Sequence, residues 1–88
     1  MSDNNKQRRL RWAQSARRYR IGRGSARYAM DWTEPTRTTT VGGAYAWLWI
    51  GADERGRELE IIAVEIDPGD DVPYLLVIHV MPTRFRGR

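Results

Sequence analysis

Along the N-terminal third, side chains recur at helical spacing. Leu10, Ala13 and Arg17 fall on one stripe at i, i+3 and i+7, with Trp12, Ala16 and Tyr19 beside it. This period predicts a helix over 10–19, with Arg8, Arg9, Arg11, Arg18 and Arg20 covering much of the rest. The segment Arg20-Ile21-Gly22-Arg23-Gly24 breaks it, its two glycines favouring a tight connection. Ser25 reads as the N-cap of a second short helix, Ala26 to Met30, ended by Asp31. Residues 32–43 read as a loop, an ordered crossing or a mobile lid, although Thr38-Thr39-Thr40 can also start a strand.

Beyond residue 43 the period changes. Ala44 to Ile50 is aromatic-rich and reads as a strand. Residues 51–57 read as a hairpin turn with its charges outward. Glu58 to Ile66 is the next strand, with Leu59, Ile61 and Ala63 on one face and Ile62, Val64 and Ile66 on the other, the pattern of a central strand. Asp67-Pro68-Gly69-Asp70-Asp71 makes a second turn. Tyr74 to Met81 is a third strand, stopped by Pro82, in which strict alternation puts Leu75, Val77, His79 and Met81 on one face. The expected fold is α+β: two N-terminal helices packed on a three- to four-stranded antiparallel meander sheet. The whole chain, 1–88, reads as one domain with a flexible start at 1–9 and a basic tail at 83–88.

Composition narrows the chemistry. There is no Cys and one His, which excludes disulfides and thiolate metal sites; no metal and no cofactor are expected. No apolar run approaches the roughly 20 residues of a membrane span, and the polar start Met1-Ser2-Asp3-Asn4-Asn5 lacks the apolar core of a secretory signal, so the expected location is cytoplasmic.

The distribution of charge says more than its net value of +4. Residues 1–30 carry nine Lys or Arg and one acid; residues 31–71 carry three Arg and ten acids. Arg84, Arg86 and Arg88 close the chain. Segregated basic charge is the footprint of a polyanion partner. Arg17, Arg18, Arg20, Arg23 and Arg27, interleaved with Tyr19 and Tyr28, offer guanidinium forks for phosphates and rings for unstacked bases, which points to RNA. The same pattern also fits a solvated helix face with tyrosines in the core.

His79 is the one side chain whose ordinary pKa lies near neutrality. With Arg84 and Arg86 close behind, it meets the needs of metal-free RNA cleavage: a proton carrier beside cations that hold a scissile phosphate. A hydrogen-bonded packing residue is the competing role. Glu58, Glu60 and Glu65 read first as an exposed strand start, with a catalytic base as the alternative. Trp47 and Trp49, both on the first strand, are core residues or a partner-binding face.

Three stretches carry a family resemblance. Residues 13–30 (AQSARRYRIGRGSARYAM), residues 47–60 (WLWIGADERGRELE, with its Ile-Gly and Gly-Arg-x-Leu hairpin) and residues 74–86 resemble the BrnT-type toxins of bacterial toxin–antitoxin pairs, which have a RelE/ParE-like fold. The resemblance implies an mRNA-cleaving endoribonuclease that blocks translation until a cognate antitoxin wraps it, alone or as a homodimer or hetero-oligomer. Tyr19-Arg20 stands where the family has a His-Gly turn, so Tyr19 inherits that position. The catalytic candidates are therefore His79, Arg84, Arg86 and Tyr19, and the RNA-binding candidates Arg17, Arg18, Arg20, Arg23 and Arg27. A non-catalytic RNA- or DNA-binding module and a domain that docks an acidic protein are the alternatives.

Overall fold

The computed structural model describes residues 9–86. Its elements are strands β1 (Arg9–Trp12), β2 (Thr36–Thr39), β3 (Tyr45–Ala52), β4 (Glu58–Ile66) and β5 (Tyr74–Pro82), with one α-helix, α1 (Arg23–Asp31), and 3-10 turns at Gln14–Arg17 and Thr83–Phe85. The strands form one sheet in the order β1-β5-β4-β3-β2. β1 runs parallel to β5, and the other pairs are antiparallel.

This corrects the expectation of two helices on a three- to four-stranded antiparallel sheet. The predicted helix over 10–19 is a short strand followed by a 3-10 turn. Arg9-Leu10-Arg11-Trp12 also alternates with period two, and its burial alternates with it. Leu10 and Trp12 pack against the core while Arg9 and Arg11 stay exposed. The outer edge of β5 supplies backbone partners for this strand, and a strand satisfies both groups where a helix would leave that edge bare. The second helix begins at Arg23 behind Gly22, and Ser25 donates its hydroxyl to Glu54 instead of capping. Within the predicted loop, Thr36–Thr39 form edge strand β2, which begins two residues before Thr38 and ends before Thr40. Pro82 is the last residue of β5. The expectation of a flexible start falls on residues outside those described, apart from Arg9, which lies in β1; Arg88 of the basic tail also lies outside them.

One face of the sheet carries the core. Ala26, Ala29 and Met30, at i, i+3 and i+4 on α1, lie in one cluster with Trp49, Leu59 and Ile61. Two alanines on the buried stripe let the helix backbone approach the sheet closely. Leu10, Trp12, Ile21 and Trp47 pack around this cluster. Beyond the helix, the Thr33 side chain packs onto Gly51 of β3: a Cβ there would lie 2.9 Å from Cβ of Thr33, and closer still to its Oγ1. The opposite face has no helix over it. Leu48, Ile62, Val64, Ile66 and Leu76 on that face are half-buried, and none joins the core cluster. No helix among the described residues is long and apolar enough to cross a membrane.

Candidate functional site

A bulge in β5 decides which way His79 points. Ala63 pairs with Val77 and Ile62 with His79, so Ile78 is an extra residue in the ladder. Val77 and Val80, three apart, are therefore both in the core, which a regular strand forbids. Strict alternation had grouped His79 with Leu75 and Val77. The bulge places it on the open face instead, with Met81. Ser15 anchors the irregularity by donating its hydroxyl to the Ile78 carbonyl at 2.7 Å.

On the open face, cross-strand register brings His79 beside Glu60 of β4. His79 Nε2 lies 3.1 Å from Glu60 Oε2, and Arg86 Nε forms an ion pair with Glu60 Oε1 at 3.1 Å. The carboxylate is thus shared between an imidazole and a guanidinium. Tyr19, just past the first 3-10 turn, sets its ring edge-on to the His79 ring, with centroids 6.2 Å apart, and also meets Phe85 at 5.9 Å. Arg18 lies over the Tyr19 ring and Arg84 over Phe85. Thr83 donates its hydroxyl to the Glu58 carboxylate at 2.7 Å, which ties the C-terminal turn to the start of β4.

Three of the four catalytic candidates therefore gather at the His79–Glu60 pair, Arg86 through the Glu60 carboxylate and Tyr19 through the His79 ring. Arg84 does not join them: it turns to Phe85 and lines a separate cavity of about 250 Å³ with Arg57, Glu58, Pro82 and Thr83. Of the RNA-binding candidates, Arg17, Arg20 and Arg23 line an open depression of about 330 Å³ with Ile21 and Gly22. Arg18 borders the His79 cluster through Tyr19. Arg27 is exposed on α1 and stands outside both groups. Arg20 has φ of +60°, a left-handed conformation that costs a non-glycine residue about 1 kcal/mol and turns the chain from the sheet edge towards α1.

Glu60 is the residue that sequence reasoning placed behind the others, as an alternative base on an exposed strand start. Its role follows from pairing: in the hairpin register, Glu60 faces Met81 and Ile62 faces His79, which puts the carboxylate diagonal to the imidazole. Among the described residues, no three His, Asp or Glu gather as metal ligands would.

Comparison with protein-family models, with curated proteins and with solved structures finds no match to this chain.

Proposed function

We propose that this protein binds single-stranded RNA and cleaves it without a metal ion, acting in the cytoplasm as the mRNA-directed toxin of a toxin–antitoxin pair. The observation that supports the reading is the shared carboxylate of Glu60, which holds His79 on one oxygen and Arg86 on the other.

In this reading His79 carries the proton and Glu60 positions it. Glu60 engages Nε2, so Nδ1 is the nitrogen left for substrate. It takes the proton of a ribose 2′-hydroxyl as that oxygen attacks the adjacent phosphorus. The bond to the 5′-oxygen breaks, and the departing oxygen takes a proton from Tyr19 or from water. Arg86 lies where it can offset the charge that builds on the phosphoryl oxygens. The products are a 2′,3′-cyclic phosphate and a free 5′-hydroxyl.

The test is incubation of purified protein with single-stranded RNA in excess chelator, with the product ends identified. His79→Ala should lower cleavage by about 10²–10⁴-fold while the thermal midpoint stays near that of the parent. Arg86→Ala should cost more activity than Arg84→Ala, because only Arg86 reaches Glu60. Induced expression in a bacterial host should arrest growth with fragmented mRNA, and His79→Ala should relieve it. Intact RNA in vitro together with normal growth would sink the ribonuclease reading.

A second reading has its own support. A carboxylate saturated by His79 and Arg86 also cross-links β4, β5 and the C-terminal turn, so the cluster can serve as a structural clamp in a non-catalytic RNA-binding protein. In that case His79→Ala lowers the thermal midpoint and RNA is bound but left whole.

A further inference from the structure

The uncovered sheet face continues from the His79 cluster along β5 and onto β1, the edge strand beside it. Arg9 and Arg11 project onto this face, because their β1 neighbours Leu10 and Trp12 turn to the core. The Arg11 guanidinium lies 4.7 Å from the centroid of the Tyr74 ring, and Arg11 pairs in register with Leu76. The face thus has an apolar floor, an aromatic ring capped by an arginine at one end, and Tyr19 with Arg18 and Arg86 at the other. About 16 Å of strand separates His79 from Tyr74.

We propose that this open sheet face is a single-strand platform, on which the RNA chain runs from the His79–Glu60 pair to a stacking post formed by Tyr74 and Arg11. The proposal rests on the RNA reading above but not on cleavage. Unpaired bases need flat apolar or aromatic surface, and the phosphates between them need cations along its margin. The face offers both, and Arg11 on Tyr74 is the arrangement in which a guanidinium holds one side of a ring while a base takes the other. A duplex keeps its bases stacked inside and has no use for such a floor. The track ends at Tyr74, because the acidic turn with Asp67, Asp70 and Asp71 joins β4 to β5 at that end of the sheet.

The occupant is a single-stranded nucleic acid; a second copy of this chain or an acidic protein would need the same apolar floor without the arginine–tyrosine post. The test uses the full chain and a labelled, non-cleavable 2′-O-methyl oligonucleotide, so that binding is read whether or not the protein cuts RNA. Fluorescence anisotropy should show saturable binding of the single strand and much weaker binding of its duplex. Tyr74→Ala should weaken the single-strand complex about tenfold, Tyr74→Phe should restore it, and Arg11→Ala, at an exposed position, should weaken it without unfolding the protein. Arg37→Ala, on edge strand β2 and the covered face of the sheet, should change nothing. The proposal is overturned if the oligonucleotide does not bind, if Tyr74→Ala and Arg11→Ala bind as the parent does, or if sedimentation shows a dimer that Leu76→Glu dissociates and that excludes the oligonucleotide.

Discussion

Asp53 is a carboxylate with almost no access to solvent, and the β3–β4 hairpin is built around it. Its Oδ1 accepts from the backbone N–H groups of Arg55 and Arg57, each at 2.9 Å, and its Oδ2 accepts from Arg57 Nε at 2.8 Å. Burial alone would raise its pKa; the hydrogen bonds from Arg57 and Arg55 and the Arg57 charge outweigh it and hold the group below the ordinary value of 3.8. A pKa lowered by folding stabilises the native state wherever the unfolded residue is ionised. That contribution is complete above about pH 5 and is lost as pH falls through 3.8 towards the folded value. Asp53→Asn should cost about 1–3 kcal/mol near neutrality, and its stability should fall less steeply than the parent's between about pH 5 and pH 3. Urea unfolding at several pH values measures both; equal slopes would remove Asp53 from the account. Arg20 presents the reverse case, a residue strained where it is useful. Arg20→Gly relieves the positive φ and should stabilise the fold by about 1 kcal/mol, and the proposed RNA binding should weaken, because the depression it lines loses a cation.

At the level of elements, β5 yields a prediction that runs against intuition. Deleting a residue from an internal strand ordinarily flips every side chain beyond it to the other face. Ile78 is already surplus to the ladder, so its deletion should leave Val77, His79 and Val80 facing as they do now. The variant should keep its sheet signature in circular dichroism. It should lose roughly 1 kcal/mol with the Ser15 hydrogen bond, and a comparable loss should follow from Ser15→Ala. A wholly unfolded deletion variant would contradict the bulge. The same bulge explains why the site was only partly legible in the sequence. Counting by twos from Leu75 gave His79 the wrong face, since a bulge leaves no mark on hydropathy. β3, β4 and β5 run antiparallel in the order the hydropathy pattern predicts, because long apolar runs between Gly- and Pro-containing turns have few other solutions. β1 was misread because four alternating residues fit within a helical stripe as well as a strand, and only the free edge of β5 decides between them. Arg86, Tyr19 and His79 were visible as residue types. Their meeting at the His79–Glu60 pair was not, because it depends on strand pairing between positions 19 apart in sequence.

Across the whole molecule, the segment after β1 (Arg17, Arg18, Arg20) and the one after β5 (Arg84, Arg86) bring cations to the end of the sheet where β5 finishes, while Asp67, Asp70 and Asp71 occupy the turn where it starts. Nine residues of β5 hold these regions about 26 Å apart, and Arg9 and Arg11 are the described cations that carry positive charge back towards the acidic end along β1. A polyanion is therefore attracted to one end, repelled from the other, and guided between them along a single edge. Such binding releases counterions, so the logarithm of affinity should fall linearly with the logarithm of salt, with a slope of about −0.7 for each phosphate neutralised on a single strand. Replacing one contacting arginine should make the slope shallower by roughly one unit of contact. Arg11→Ala and Arg86→Ala sit at opposite ends of the proposed track, so each should reduce the slope separately and the double variant should lose both increments. Arg27→Ala, which lies outside the track, should leave the slope as it is. If Arg27→Ala and Arg86→Ala lower the slope while Arg11→Ala does not, the strand follows the helix instead of the open sheet, and the face with α1 becomes the RNA surface. The salt series therefore separates two binding surfaces that a single dissociation constant cannot tell apart, since losing a cation anywhere near a polyanion weakens binding but only a neutralised phosphate changes the slope.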